Sequence, residues 1–385
     1  MSTGRPNDRA VNKLQEILEA EVFHYAKDKR KAAGRALGTL VEVIAYYLLK
    51  TWGLNDSISI ERGLAEYGNP EILHNVEYSL HPIVCCSSLE FTKTKNSITG
   101  TAIWKALCDS GYNLKDFGRK NQLLLSGDRI LRNACTIAES SSSFLLCSIT
   151  EVHDNVYSLN IYEQHHKPFA IFECKRVGVE EGMTKGPQTI EKAKQGAYVA
   201  RTTSSLQKLR TESGQMHGII YKSNGDYILK PYDELMEEVV SSEDVELLRR
   251  FILTVGIVSN HGNWFTNYNQ NKELKVLAQS YDWLLFLTDA GLGQFVEDLL
   301  LRPSPKYEPI CSAFKSSYGG GKTKNQFTKV QMNIDSDRLL LDYFQENIAE
   351  IERWFNVISP AAKTVCVLKS ELKSLMDKDW RRVLT

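Results

Sequence analysis

Apolar residues recur at three- and four-residue intervals through Leu37, Val41, Ile44 and Leu48, the spacing of one helical face. A helix is therefore predicted from about Gly34 to Lys50. An earlier helix is predicted through Val11 to Tyr25, with the basic patch Lys27, Lys29, Arg30 and Lys31 between the two. Residues 55–140 break into short apolar segments punctuated by Gly, Asn and Pro, and the pattern assigns them no elements. Ser140 to Ser143 reads as a turn or short linker.

The pattern then changes to β-rich runs. Phe144 to Thr150, Val156 to Tyr162 and Phe169 to Lys175 read as strands, with His153-Asp154-Asn155 and Gln164 to Pro168 as turns. Together they predict a three-stranded antiparallel meander. A loop with Gly178, Gly182 and Gly186 leads into a helix that starts near Pro187, a residue suited to a first helical turn, and runs to about Arg210. Gly218 to Lys222 and Tyr227 to Lys230 predict a hairpin around Asn224-Gly225. Beyond Tyr232 the chain reads as mainly helical, over about 242–258, 271–288, 291–301, 336–357 and 361–380. Leu340, Phe344, Ile348, Ile351 and Phe355 form the clearest apolar stripe there. The expected fold class is α/β: a mixed sheet flanked by helices, with a mainly helical C-terminal region. Residues 1–230 are expected to carry the N-terminal helices and the core, and residues 231–385 to pack on it.

A chain of 385 residues with 42% apolar positions can bury a sizeable core as one large domain or two intimate ones. Formal net charge is zero, so no global charge draws the chain to nucleic acid or membrane, and any such contact must come from local patches. Met1 to Asp8 lacks the apolar run of a signal peptide. No stretch is expected to reach the roughly 20 apolar residues that span a bilayer. The eight cysteines include no CxxC spacing, only adjacent Cys85 and Cys86, which argues against a zinc ribbon and suits reduced thiols in a cytoplasm.

Candidate chemistry gathers at the third β-rich run. Alternation places Glu173 and Lys175 on one face of the strand and Cys174 on the other. A carboxylate and an ammonium on one face of a buried strand are costly unless paired or used. In the predicted meander the start of the second strand lies beside the end of the third, so Asp154 would reach Glu173. Two carboxylates and a lysine at one sheet end suit phosphodiester hydrolysis. Mg2+ takes oxygen ligands, and an ammonium can orient a water or steady a developing anion.

Asp154, a hairpin and then Glu173-Cys174-Lys175 resemble the PD-(D/E)XK nuclease superfamily, most closely type II restriction endonucleases. The resemblance spans about residues 34–230. It implies a restriction-endonuclease-like core and a catalytic set of Asp154, Glu173, Lys175 and Glu42, the last being the only acidic or basic residue between Arg35 and Lys50. It implies Mg2+ held by Asp154, Glu173 and the backbone carbonyl of Cys174. The helix after Lys175, with Gln195 and Tyr198, is similar to the polar helix the family packs beside its metal site. The run Gly218 to Lys222 falls where its fourth core strand is expected. His153 stands where the family has proline before the aspartate, which leaves Asp128, in Ser126-Gly-Asp-Arg129, as an alternative first carboxylate. The implied activity is sequence-specific hydrolysis of double-stranded DNA, leaving 5′-phosphate and 3′-hydroxyl ends. A homodimer, a cognate DNA methyltransferase in the host and a prokaryotic cytoplasm are implied with it, and no membrane.

Two rival functions share these residues: a structure-specific repair or recombination nuclease, and a non-catalytic DNA-binding protein of the same fold. Between Arg302 and Val330, Arg302, Lys306, Lys315, Lys322, Lys324 and Lys329 face one acid, Glu308. Lys322 and Lys324, on a glycine-rich loop, are the expected DNA-phosphate contacts, with Gln195 as a further DNA contact. Gly319 to Thr323 imitates a phosphate-binding loop, but Ser316 stands where that loop needs glycine. Gly218-Ile-Ile-Tyr221 before Tyr227-Ile228 imitates a GIY-YIG nuclease without its second glycine. His261 stands without metal-ligand spacing.

Overall fold

The run Ala170-Ile-Phe-Glu-Cys is buried at every position instead of alternately, as a strand covered on both faces must be. It becomes the centre of a six-stranded sheet whose spatial order is also its chain order. The strands are β1 (Ile58–Ile60), β2 (Tyr78–Leu80), β3 (Ala170–Val177), β4 (Leu253–Asn260), β5 (Trp283–Leu287) and β6 (Phe355–Ser359). β1, β2 and β3 pair antiparallel, β4 and β5 continue parallel to β3, and β6 closes antiparallel, so the sheet is mixed. The computed structural model describes residues 16, 18–23, 28–92, 97–153, 156–177, 186–260, 272–318 and 325–384.

Helices cover both faces. Helix α1 (Lys29–Leu49) carries the predicted stripe of Leu37, Val41, Ile44 and Leu48 into one core with Tyr78, Ala170, Phe172 and Cys174. Gly53, at φ 80°, takes the left-handed turn that ends this helical stretch. Helix α2 (Gly186–Thr203) covers the opposite face, where Ala197 and Ala200 meet Val258, Tyr281 and Phe286, and Val199 meets Ile171. A third helix, α3 (Ile334–Glu346), is tied to α1 through Asp337, which accepts hydrogen bonds from Tyr47 at 2.6 Å and Lys50 at 3.0 Å. The protein is thus α/β, a mixed sheet flanked by helices. The sheet takes strands from both sides of residue 230, because the helix-rich C-terminal part supplies β4, β5 and β6.

Several sequence expectations change. Ser143–His153 and Val156–His165 do form a hairpin, but it belongs to a second, five-stranded sheet with Ile83–Thr92, Cys135–Glu139 and Gly118–Arg119. The run after it leaves that sheet. Burial along Val156–His165 alternates, as for a sheet with one solvated face, whereas β3 is apolar on both faces and pairs centrally elsewhere. The expected meander therefore lacks its third strand. The hairpin Met216–Tyr221 with Tyr227–Pro231 forms, but in its own three-stranded sheet, so β4 and not this run adjoins β3. Its turn holds Ser223, Asn224 and Gly225 between Lys222 and Asp226, with glycine alone at positive φ, a three-residue turn in place of a two-residue one. α2 stops at Thr203, and Gln207–Arg210 is a strand. Parts of 242–258, 271–288 and 336–357 expected to be helical are β4, β5 and the start of β6, since short fully buried runs share their composition with helices.

One helical stretch, Ala32–Ser57, is long and apolar enough to cross a membrane, and 67% of its most apolar window is buried inside the protein. Arg35, Glu42, Lys50 and Asp56 interrupt it, so it holds no continuous apolar run of bilayer-spanning length.

Tyr281 wedges between α2 and the sheet. A Cβ at Gly256 would come within 2.8 Å of its ring. Gly256→Ala should therefore lower stability by about 1–3 kcal/mol in urea denaturation. Gly34→Ala, inside α1 with open space around the new methyl, should raise it by about 0.5–1 kcal/mol. Equal effects at the two glycines would contradict this packing.

Candidate functional site

β3 outruns its antiparallel neighbour. Its pairing with β2 ends at Phe172 opposite Tyr78, while the strand continues to Val177 along β4. Extending that register sets Glu77 across from Glu173, and residues opposite one another in antiparallel strands share a face. Lys175, two residues on, lies on the same side, with its ammonium 3.4 Å from Glu173 and 4.0 Å from Glu77. Cys174 faces the other way, buried in the core under α1. Its carbonyl lies on the stretch of β3 that β2 leaves uncovered.

Two more segments converge here. Glu42 on α1 is fixed through its backbone, its carbonyl accepting a 2.7 Å hydrogen bond from the Tyr78 hydroxyl. Glu61 follows β1 in the left-handed conformation, φ 51°, and donates its N–H to the Glu77 carbonyl at 3.2 Å. Lys329 enters from the C-terminal part. Its buried ammonium contacts Glu77 and lies 3.1 Å from Glu61 and 3.4 Å from Glu42. Four carboxylates (Glu42, Glu61, Glu77 and Glu173) therefore share two ammonium groups (Lys175 and Lys329).

Burial raises the Glu173 carboxyl above its ordinary range, against the pull of Lys175, and Glu42 adds to the rise. Burial likewise raises Glu42, against Lys329 and Lys175. Both shifts mark charge held out of water with too little compensation. The donors are hard oxygens, the ligand type Mg2+ prefers. Among the described residues, however, no three such groups already converge as a metal site. An ammonium lies among them instead, so the cluster is arranged around positive charge.

The residues anticipated from sequence fall into three groups. Glu42, Glu173 and Lys175 meet in this cluster. Asp154, Lys322 and Lys324, with Gly319 to Thr323 and His261, lie outside the described residues. The pairing expected to carry Asp154 to Glu173 does not form, because Val156 pairs with Thr92 of the second sheet. Asp128 occupies an exposed turn between Leu123–Leu125 and Ile130–Arg132, strands of yet another sheet. Gln195 is exposed at the α2 position next to Gly196, where a Cβ would lie 3.4 Å from the Glu173 side chain and 2.6 Å from the Tyr281 hydroxyl. Tyr198 turns away to Glu66, 3.0 Å distant. Glu77, Glu61 and the inward turn of Lys329 were not anticipated. The one sequence signal for Glu77 is an acid that opens the short apolar run Tyr78-Ser-Leu80, inside a region whose pattern predicts no strands.

The raised carboxyls set a pH dependence. A group whose folded pKa is raised contributes stability that is complete below its ordinary range and lost as pH rises through the folded value. Glu173→Gln should therefore melt about 2 °C or more above the parent near neutral pH without divalent ions. The gap should close as pH falls below the usual carboxylate range. A variant that melts lower at neutral pH would show the pair with Lys175 outweighing burial.

Compared with known proteins, the chain matches no family model, no curated protein and no solved structure.

Proposed function

We propose that the protein is a Mg2+-dependent endodeoxyribonuclease of the PD-(D/E)XK type, with Glu77 as the first carboxylate, Glu173 as the second and Lys175 as the catalytic lysine. The observation that carries this reading is the placement of Glu77 across from Glu173, with the Lys175 ammonium within 4.0 Å of both. A helix bearing Glu42 before the sheet and a helix against Glu173 after it support the same reading.

Glu77, Glu173 and the Cys174 carbonyl would hold the metal, with Glu42 behind them. When bound, Mg2+ supplies neutralisation of the charge that builds on the scissile phosphate. Lys175 is about one-third exposed, so its ammonium reaches solvent while Glu173 and Glu77 hold it in place. It donates to the attacking water or to the developing oxyanion. Buried Glu173 lies on the central strand beside Gly196 of α2, which limits its reorganisation during reaction.

At finer grain the reading is a type II restriction enzyme cutting double-stranded DNA at a specific sequence, as a homodimer on a palindromic site. It would work in a prokaryotic cytoplasm beside a protecting DNA methyltransferase. Plasmid DNA incubated with Mg2+ should then yield discrete bands with 5′-phosphate ends. A smear, or cleavage confined to branched substrates, would instead indicate a repair nuclease, and no cleavage a DNA-binding protein.

Lys175→Ala and Glu77→Gln should each lower cleavage at least about a hundredfold while leaving DNA binding in Ca2+ within a few-fold. Asp154→Asn should leave the Mg2+ requirement unchanged. If Asp154→Asn abolishes cleavage and Glu77→Gln does not, the assignment of the first carboxylate is wrong.

A further inference from the structure

Among the described basic residues of its segment, Lys329 stands apart. Its side chain is 7% exposed, whereas that of Arg302 is 82% exposed and that of Lys306 43% exposed. It turns inward to three carboxylates from three separate segments: Glu42 on α1, Glu61 after β1 and Glu77 before β2.

Its backbone is held firmly enough to aim it. Asn133, itself buried, donates its side-chain amide to the Lys329 carbonyl and its N–H to the Val330 carbonyl, both at 2.9 Å. Immediately before, Phe327 is buried edge-on against Phe314. Thr328 closes a turn onto Gln331 at 2.7 Å, and Gln331–Asn333 then pairs with Ile130–Arg132. A long flexible side chain on a fixed stem can enter or leave the cluster without moving the fold.

We infer that Lys329 is an internal counter-cation of the carboxylate cluster, and that its ammonium and a divalent cation occupy the cluster in mutually exclusive fashion. This rests on reading Glu77 and its neighbours as the Mg2+ site. Glu77 is the residue both cations need. Lys329 contacts it directly, and an ion bound to the same carboxylate would lie about 2 Å from its oxygen. The ammonium and the ion would then share one carboxylate, on the order of 4–5 Å apart, a separation at which two cations repel strongly where water is scarce. Entry of the ion therefore requires the ammonium to withdraw, which frees a positive charge beside the place a DNA phosphate would take. Without the ion, Lys329 relieves repulsion among Glu42, Glu61 and Glu77 and keeps the segment after the basic loop docked on the core. The protein is thereby stable without metal, and loading is linked to release of a C-terminal side chain.

The test measures Mn2+ binding to the full chain without DNA, from the electron paramagnetic resonance signal of the free ion. Lys329→Met should bind Mn2+ at least about tenfold more tightly than the parent, and adding Glu77→Gln should remove that gain. Unchanged or weaker binding in Lys329→Met, or no binding to either protein, would overturn the inference. Should that variant fail to fold, lysine acetylation of the unaltered protein followed by mass spectrometry gives the same answer. Lys329 should be protected without Mn2+ and become reactive with it, and protection in both conditions would count against exclusion. The nuclease reading is separable. Tightened Mn2+ binding without DNA cleavage would retain the inference and remove the nuclease, and Mg2+-dependent cleavage with unchanged binding would do the reverse.

Discussion

The structure turns on a single electrostatic constraint, the need to hold several carboxylates together at the end of a buried strand. Glu173 lies on a strand covered on both faces, where an isolated charge would be expelled or neutralised. Glu42 comes from α1 and Glu77 from the residue before β2; burial raises the Glu173 carboxyl, and the charge of Glu42 adds to that rise. Among the described residues, two ammonium groups offset that cost. Lys175 comes from the same strand, two residues away, and Lys329 from more than 150 residues later. Such a cluster is a poor way to stabilise a fold, since apolar residues would do better. Its presence in an otherwise well-packed core is what the proposed function rests on, because perturbed carboxyls of this kind gather at functional sites.

The fold places these groups by a simple device. β2 is short and β3 is long, so the end of the central strand projects beyond its antiparallel neighbour while remaining paired to β4. The projecting part keeps the rigidity of a sheet and yet has an open flank. Gly256 opposite Glu173 and Gly196 on α2 leave room for the Tyr281 ring and hydroxyl, which set the spacing of helix and sheet at that point. β4 to β6 belong to the C-terminal part, so the site rests on a sheet built from nearly the whole chain.

Local patterns could be read from the sequence, and pairings over long distances could not. The α1 stripe, the opposition of Glu173 and Lys175 to Cys174, and the hairpin after Met216 all depend on spacing within a few residues. The partner of β3 does not. An apolar run preceded by a hairpin reads as a third meander strand, and only its two buried faces mark it as central. β5 reads as helix because Trp-Leu-Leu-Phe-Leu has no alternation to display when both sides are covered. Glu77 was hidden for a related reason. β2 has only three residues, too few to declare a period, and its importance comes from a partner ninety residues away. Lys329 shows the limit most plainly: nothing in the sequence sets it apart from Arg302, Lys306 and Lys315, and yet it turns inward.

The account depends most on the claim that Glu77, immediately before β2, completes the site with Glu173. Crystals grown with Mn2+ and DNA would test it through anomalous scattering at the manganese edge. The account predicts a peak within bonding distance of both the Glu77 and Glu173 carboxylates, with the Lys329 ammonium withdrawn. A peak bound to Glu173 and Asp154, with Glu77 still held by Lys329, would contradict it.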